Sequence, residues 1–527
     1  MKQIDTSTYN FPEIIANDFL YIDKTEFIWK LVSKKKGEYF LSRPRRFGKS
    51  LLISTLKAFF QGRRELFKGL AIDKEDYDWK AYPVIHLDFG ACVAATSDEL
   101  ATFLQFRLEE SAAEHGVELT APTPQECFIE LVKKLAKKGS KQDTDGRVVV
   151  LVDEYDKPIL SNVTNPNVPE ILKLLKGFYG VIKTYEGLIR FAFITGVSKF
   201  AHVSIFSDLN NLTDITLHSD YAGMLGFTEA EIREYFADRI PLAARANGKS
   251  DEELMQWLLK WYDGYRFSNA DTHVCNPVSI STFFTNNYEF ANYWGKTGLP
   301  GFLMALAKKT RFNLERAISE PVSELAFGAY ELDNLDPLGL LWQTGYLTIA
   351  ETIPSPFGDT MYRLGFPDLE VEHSFNTQLL AYYSGMKDAA MSSIVYKLTE
   401  TLRMDDVNAF MKTLQAYFAS NPYEIHSGDE RYYQTIFFIT FLLLGTAIEA
   451  ESKTNEGSID AYIRTTKAVY IFEFKLNKTV RKAIAQIRDK HYYEKFQAGE
   501  LPIYIIGVNF NSTKGQLNNW AYTTVSD

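Results

Sequence analysis

The stretch Phe40-Leu41-Ser42-Arg43-Pro44-Arg45-Arg46-Phe47-Gly48-Lys49-Ser50, followed by Leu51-Leu52-Ile53, constrains this chain more than any other. It reads as a strand, a tight loop and the first turn of a helix, with Gly48-Lys49-Ser50 at the join. A phosphate chain needs that arrangement. Backbone N–H groups at the helix start point at the anion, the lysine reaches the outer phosphates, and the serine hydroxyl can hold Mg²⁺. The residues expected to line such a ligand are Arg46, Phe47, Gly48, Lys49, Ser50 and Leu51. The full pattern has glycine where this chain has Arg43, and Gly-Lys-Ser alone also fits a basic loop that caps a helix.

A second stretch, Arg147-Val148-Val149-Val150-Leu151-Val152-Asp153-Glu154, decides between those readings. Its continuous β-branched run is what a strand buried on both faces of a parallel sheet looks like. Acids at the C-terminal end of such a strand stand where ligands bind in open α/β sheets. Asp153 would hold Mg²⁺ through water or Ser50, and Glu154 would polarise the attacking water. Either motif alone has a bland explanation; the pair, separated by the span of a few βα units, points to a nucleotide-binding domain.

At 527 residues the chain has room for roughly two to four domains. A net charge of −10 gives no global attraction to nucleic acid, so any such contact must come from a local basic surface. Cys92, Cys127 and Cys275 lie far apart with no CxxC, which argues against structural zinc or disulfides and suits a reducing cytoplasm. The N-terminus has no signal-peptide pattern. The strongest apolar run, Ile436 to Leu444, is well short of the ~20 residues that span a bilayer and reads as a core helix. No membrane partner is expected.

Strands are expected at Pro83–Phe89 and Arg190–Ser198, with helices Leu51–Phe60, Asp98–Glu114, Pro124–Lys138 and Val168–Tyr185 between them. Thr195 or Ser198 would sense a terminal phosphate; Ser198 would equally cap the following turn. The segment Tyr21 to Thr25 would pack beside a nucleotide base or serve structure alone. From Thr228 to Ala317 the periodicity is helical, with an aromatic cluster of Trp257, Trp261, Tyr262, Tyr265 and Phe267 expected in the core and Arg266 as a phosphate contact. Leu338 to Leu364 reads as a helix and hairpin, compatible with a winged-helix unit, its tip at Pro354–Gly358.

The last 150 or so residues carry a second chemical signature. A helix from Gly428 to Gly445 would bear Glu430 near its start. A hairpin would follow, with Asp460 on Gly457–Ile463 and with Glu473 and Lys475 on Val469–Lys475. Period-2 alternation puts Glu473 and Lys475 on one face. Two acids and a lysine at one place can hold Mg²⁺ and stabilise an attacked phosphate, with Glu430 as a further ligand or orienting a bound water. A Glu-x-Lys in a strand is usually surface charge pairing, but the order Glu, Asp, Glu-x-Lys across helix, strand and strand is rarer. The helix Thr479–Tyr493 adds Arg481, Lys482, Gln486, Arg488 and Lys490, which would track a nucleic-acid backbone or form an ordinary solvated face.

With these stretches in hand, the chain resembles a bacterial and archaeal family that pairs an AAA+-like ATPase domain with a C-terminal PD-(D/E)XK nuclease-like domain. The resemblance rests on Tyr21–Thr25, Arg43–Ser50, Val152–Pro158, Phe206–Leu212, Tyr262–Phe267, Gln343–Leu347 and Glu473–Lys475. In that family arginine at the position of Arg43 is usual. The resemblance implies ATP at Gly48, Lys49 and Ser50, metal-assisted hydrolysis through Asp153 and Glu154, and a nuclease site at Glu430, Asp460, Glu473 and Lys475 with Gln486 behind it. Ser458 stands where many relatives have arginine.

The expected fold class is therefore α/β: a P-loop NTPase (AAA+-like) parallel sheet over 1–220, a helical lid over 221–330, a winged-helix unit over 331–375 and a restriction-endonuclease-like domain over 376–527. The expected cofactors are ATP and Mg²⁺, and the expected partner is nucleic acid, DNA ahead of RNA. AAA+-type sites often borrow an arginine from a neighbour, and a homo-oligomer is among the expected partners; no position in the sequence identifies that arginine, with Arg190 and Arg266 as candidates only. The leading expectation is an ATP-dependent or ATP-gated nuclease acting on DNA. The alternative is a nucleotide-switched binding or signalling protein whose nuclease fold is a docking platform.

Overall fold

The branched run Val148–Val152 is wholly buried, as a strand covered on both faces must be. It belongs to a sheet of five strands: β1 (Gly37–Ser42), β2 (Val84–Asp88), β3 (Val148–Asp153), β4 (Ile189–Gly196) and β5 (Thr213–Asp214). All pair in parallel, in the order β2-β3-β4-β1-β5. The C-terminal ends of β1, β3 and β4 therefore meet, and the chain leaves β1 there into the helix Lys49–Phe60. Phe60 of that helix packs on Phe191 of β4 with ring centroids 4.8 Å apart, which fixes the face of the sheet it covers. Helices Ser97–Glu114, Pro124–Gly139 and Val168–Thr184 lie close to the expected spans.

The computed structural model describes residues 1–34, 36–139, 145–199, 211–295, 303, 306, 314–328, 336–384, 388–419, 439–440, 447–454, 457–465, 467–497, 499, 501–511 and 516–525. It divides into two compact units, one of residues 1–296 and 321–371, the other of 297–320 and 372–527. Of the stretch read as helical from Thr228 onward, residues 297–320 thus go with the C-terminal unit.

After the parallel sheet the first unit turns helical. Helices Glu229–Tyr235 and Asp251–Tyr262 each start at a reciprocal capping box, Thr228 with Glu231 and Ser250 with Glu253. With Ile240–Ala246 and Pro277–Thr285 they close a core around Phe236, Leu258, Tyr262 and Phe283. The expected helix and hairpin follow as Pro337–Thr344, β7 (Thr348–Pro354) and β8 (Thr360–Gly365), joined by β6 (Val322–Ser323) into a sheet ordered β6-β8-β7. The helix ends on Gly345 at φ 87°, where glycine is the least strained residue.

The second unit is built on β9 (Ala447–Thr454), β10 (Gly457–Arg464), β11 (Val469–Leu476), β12 (Ile503–Asn511) and β13 (Gln516–Thr524), ordered β13-β12-β11-β10-β9. β11 and β12 run parallel, linked by the helix Val480–Asp489, while the other pairs are antiparallel. Pro502–Val508, read from the sequence as the closing strand, is followed by one more, because β13 pairs along the far edge of β12. On one face Ile471, Ile487, Tyr492 and Ile505 form the core. On the other, Phe418 of the helix Val407–Ala419 meets Phe510 at 5.1 Å. Among the described residues no helix is long and apolar enough to cross a membrane.

Candidate functional site

The loop between β1 and its helix has two left-handed residues, Arg46 at φ 65° and Gly48 at φ 86°. Gly48 bears that conformation without strain; Arg46 does not, and must be held in it. Gly48 also brings no capping side chain to the helix Lys49–Phe60, so its first-turn N–H groups keep the anion-binding character of a helix start. Lys49 is buried, and its Nζ donates to Arg43 O at 2.9 Å and Pro44 O at 2.8 Å. Burial pushes its amine below the usual lysine range, against the fields of Asp153, Glu154 and Asp156.

Ser50, one residue on, stands near the Asp153 carboxylate at the end of β3 and favours its charged form. Asp153 is buried, and burial pushes it up to about 6 despite Ser50 and Lys49. Glu154 follows at φ 53°, its N–H donating to Asp153 Oδ1 at 3.0 Å. The β2–β3 register sets Asp88 beside Asp153. A methyl carbon placed on Gly90 would lie 3.1 Å from Asp88 Oδ1 and 3.6 Å from Glu154 Oε2, so three acids converge on this edge.

The same edge includes the end of β4. Val152 opposite Ile194 brings Asp153 and Thr195 level, and Thr195 shares the face of Phe191, toward the loop helix. Its hydroxyl is buried and has no hydrogen-bond partner among the described residues. Ser198 is different. Its Oγ donates to Asp156 Oδ2 at 2.7 Å, and Asp156 also accepts the N–H groups of Val197 at 3.2 Å and Ser198 at 2.7 Å. Asp156 thus pins the turn after β4, and of the two hydroxyls Thr195 is the one turned to the loop.

A second layer grips the loop from behind. Phe47 is buried between Tyr265 and Phe267, with ring centroids at 4.6 and 5.4 Å. Arg43 turns away from the phosphate side: its guanidinium lies 4.3 Å from the Phe267 ring centre and donates to Ser42 O, Thr216 O and Tyr221 O. A side chain on Gly345 would strike Pro44 at 2.6 Å. Trp294 Nε1 donates to Arg45 O at 3.3 Å, and Arg46 Nη1 to Tyr293 O at 2.9 Å.

The second unit holds the other constellation. Ala461 opposite Phe472 leaves Asp460 and Glu473 as the next cross-strand pair of β10 and β11. Tyr462 and Ile471, each two residues away, both belong to the core beneath the helix Val480–Asp489, so Asp460, Glu473 and Lys475 share that face. Glu473 is buried, with Lys475 Nζ donating to its Oε1 at 2.6 Å. Asp460 Oδ2 accepts the N–H of Phe474 at 2.8 Å. Gln486 stands half-buried on the same helix.

Comparison with known proteins bears on both constellations. Residues 6–206 match the family model described as predicted AAA-ATPase, and residues 428–520 match the PD-(D/E)XK nuclease superfamily. The chain is 34% identical over 505 residues to an uncharacterized protein from the vnfD 5′ region of Azotobacter chroococcum mcd 1, covering 94% of each. The chain belongs to this AAA-ATPase-like family with a C-terminal PD-(D/E)XK nuclease domain.

In this AAA-ATPase-like chain the structure gathers Lys49, Ser50, Asp153 and Glu154 at one edge, and Asp460, Glu473 and Lys475 on one face. Phe47 and Arg46 stand in the loop but look toward its supporting layer, and Leu51 lies in the first turn of the helix. Glu430, the loop Phe206–Asn210 and nearly all of Gly428–Gly445 lie outside the described residues; the side chain of Ser458 does too. Two expectations are corrected. Arg266 spans its own turn, donating to Ala270 O and Asn269 O at 2.8 Å, rather than reaching toward phosphate. Arg190 is buried at the start of β4, the end remote from Thr195, with Nη2 on Val32 O at 3.1 Å, so neither arginine is placed to serve a neighbouring copy. Tyr21–Thr25 serves structure: Asp23 accepts from Thr25 and Ala71, and Lys24 pairs with Glu231.

Asp88 and Asp156 were missed from the sequence alone. Asp156 sits within Glu154-Tyr155-Asp156-Lys157-Pro158, where its spacing from Asp153 was signal enough to ask what it holds. Asp88 lay within the expected strand Pro83–Phe89, but only the pairing of β2 with β3 made it a neighbour of Asp153.

Proposed function

We propose that this chain binds ATP with Mg²⁺ at the β1–β3–β4 edge, hydrolyses it, and couples that cycle to Mg²⁺-dependent cleavage of DNA by the second unit. The observation that carries this reading is the shared face of Asp460, Glu473 and Lys475, in a chain that also sets Ser50 and Lys49 near the Asp153 carboxylate.

At the first site Ser50 and Asp153 would hold Mg²⁺, and at the second Asp460 and Glu473 would; two carboxylates suit an ion that keeps several waters. Bound there, Mg²⁺ supplies Lewis acidity toward phosphate oxygens. The protein groups do the rest. Lys49 and the first-turn N–H groups neutralise and orient the triphosphate, Glu154 takes a proton from the attacking water, and the Thr195 hydroxyl fixes the terminal phosphate. At the second site Lys475 stabilises charge on the attacked phosphodiester, and Arg481, Lys482 and Arg488, all exposed, track the backbone. The three buried cysteines suit a reducing cytoplasm.

The test is incubation of purified protein with labelled single- and double-stranded DNA, with Mg²⁺ or Mn²⁺ and with or without ATP. Cleavage that disappears in Glu473→Ala and Asp460→Ala supports the reading. Tight ATP binding without any metal-dependent cleavage supports the nucleotide-switched docking protein instead.

A further inference from the structure

The chain passes out of the first unit after Lys296 and again after Val371. One side chain fastens both exits. Glu370 is buried, and its Oε1 accepts the backbone N–H groups of Tyr293 and of Trp294, the latter at 2.6 Å. Its Oε2 accepts from Ser279 Oγ at 2.6 Å, which ties the staple to the helix Pro277–Thr285. Val371 N donates to Asp368 Oδ1 at 2.8 Å, and Pro367 lies so close to Gly264 that a side chain there would meet its carbonyl. The start of the helix Leu369–Ser384 is thereby fixed to the segment that carries Tyr265 and Phe267.

The two residues whose N–H groups Glu370 holds also bond the phosphate loop. Trp294 Nε1 bonds Arg45 O and Tyr293 O accepts from Arg46, itself in the left-handed conformation. Lys49 restrains the loop as well, bonded to the carbonyls of Arg43 and Pro44. A triphosphate competes for that ammonium, so its arrival would release two loop carbonyls and leave the loop to bear on its bonds to residues 293 and 294.

We propose that Glu370 is a coupling residue: through Tyr293 and Trp294 it transmits the state of the phosphate loop to both points where the chain leaves the first unit. This rests on the ATP-binding reading above, and it names the route by which nucleotide acts on the rest of the chain. Two short hydrogen-bonded steps join Arg45 and Arg46 to the helix start, in a region whose buried carboxylate has no cheap alternative partner.

The experiment is hydrogen–deuterium exchange on the full chain with and without ATP and Mg²⁺, alongside binding of a fluorescent ATP analogue. In wild type, ATP should change exchange at least about threefold in peptides covering 290–295 and 368–382. Trp294→Phe keeps an aromatic ring against Tyr346, now 4.9 Å away, and removes the indole N–H that bonds Arg45. It should bind the analogue within about threefold of wild type yet lose the change at 368–382. Glu370→Asp, too short to reach both N–H groups, should do the same. Wild type that binds ATP with no change at 368–382, or Trp294→Phe that retains it, overturns the coupling alone. Wild type that fails to bind the analogue overturns the ATP reading, and the coupling falls with it.

Discussion

The edge at β1, β3 and β4 and the face of β10 and β11 use the same pieces, an acid near the end of a central strand and a lysine close by, but commit them differently. At the first, Lys49 bonds backbone carbonyls of its own loop while Asp153 accepts the N–H of Glu154, so lysine and acid are not spent on each other. At the second, Lys475 and Glu473 form a direct, largely buried pair. A ligand at the first site must therefore rearrange a loop; one at the second must compete with an ion pair. Loop rearrangement can be relayed through the residues that grip the loop, whereas an ion pair reports only to its immediate neighbours. On the function proposed above, that contrast suits the first site to control and the second to chemistry.

The contrast breaks first at Glu473. Glu473→Gln keeps the volume but removes the charge, and should lower metal-dependent cleavage on the order of a hundredfold or more while leaving ATP affinity unchanged. Gel assays and analogue titration on one preparation read both. Lys49→Ala is the converse: ATP binding should weaken about a hundredfold, and cleavage measured without ATP should hold. If both variants damage both activities, the two sites are not separable and the comparison fails.

Three smaller effects sharpen it. Arg43→Gly restores the glycine of the general loop pattern, yet should destabilise the first unit by about 2–3 kcal/mol, read from denaturant melts, because it vacates the Phe267 face and three carbonyls. The pH dependence follows from Asp153, pushed up to about 6. A raised carboxyl is protonated below that value and must lose its proton to hold Mg²⁺. Apparent Mg²⁺ affinity at the ATP site should thus fall about tenfold per unit as pH drops below 6, and the step should vanish in Asp153→Asn. Thr195→Val should lower kcat for ATP about fivefold with little change in KM, whereas Ser198→Ala, which loses a bond to Asp156, should lower Tm instead.

Much of the frame was legible in residue order. The Val148–Val152 run announced a two-face-buried strand, the Gly48-Lys49-Ser50 join announced a helix start, and alternation put Glu473 and Lys475 on one face. Those are local regularities, set by side-chain period and backbone preference. Arg43 was the instructive failure. Read along the chain it is a bulky residue in a glycine position; in the folded protein it leaves the loop backward, onto Phe267, more than two hundred residues later. The aromatic stretch Tyr262–Phe267 was likewise readable as core but not as the seat of the phosphate loop.

The order of residues by itself determined which segments become strands, where the helix after the loop begins, and which acids end the strands, because each follows from patterns within a few residues. Only the tertiary structure decided that Asp88 stands beside Asp153, that Asp156 binds Ser198 and leaves Thr195 to face the loop, and that Glu370 holds the residues gripping Arg45 and Arg46. Each of those depends on which distant strands and turns share a buried interior. There a polar group must find a partner wherever the fold places one.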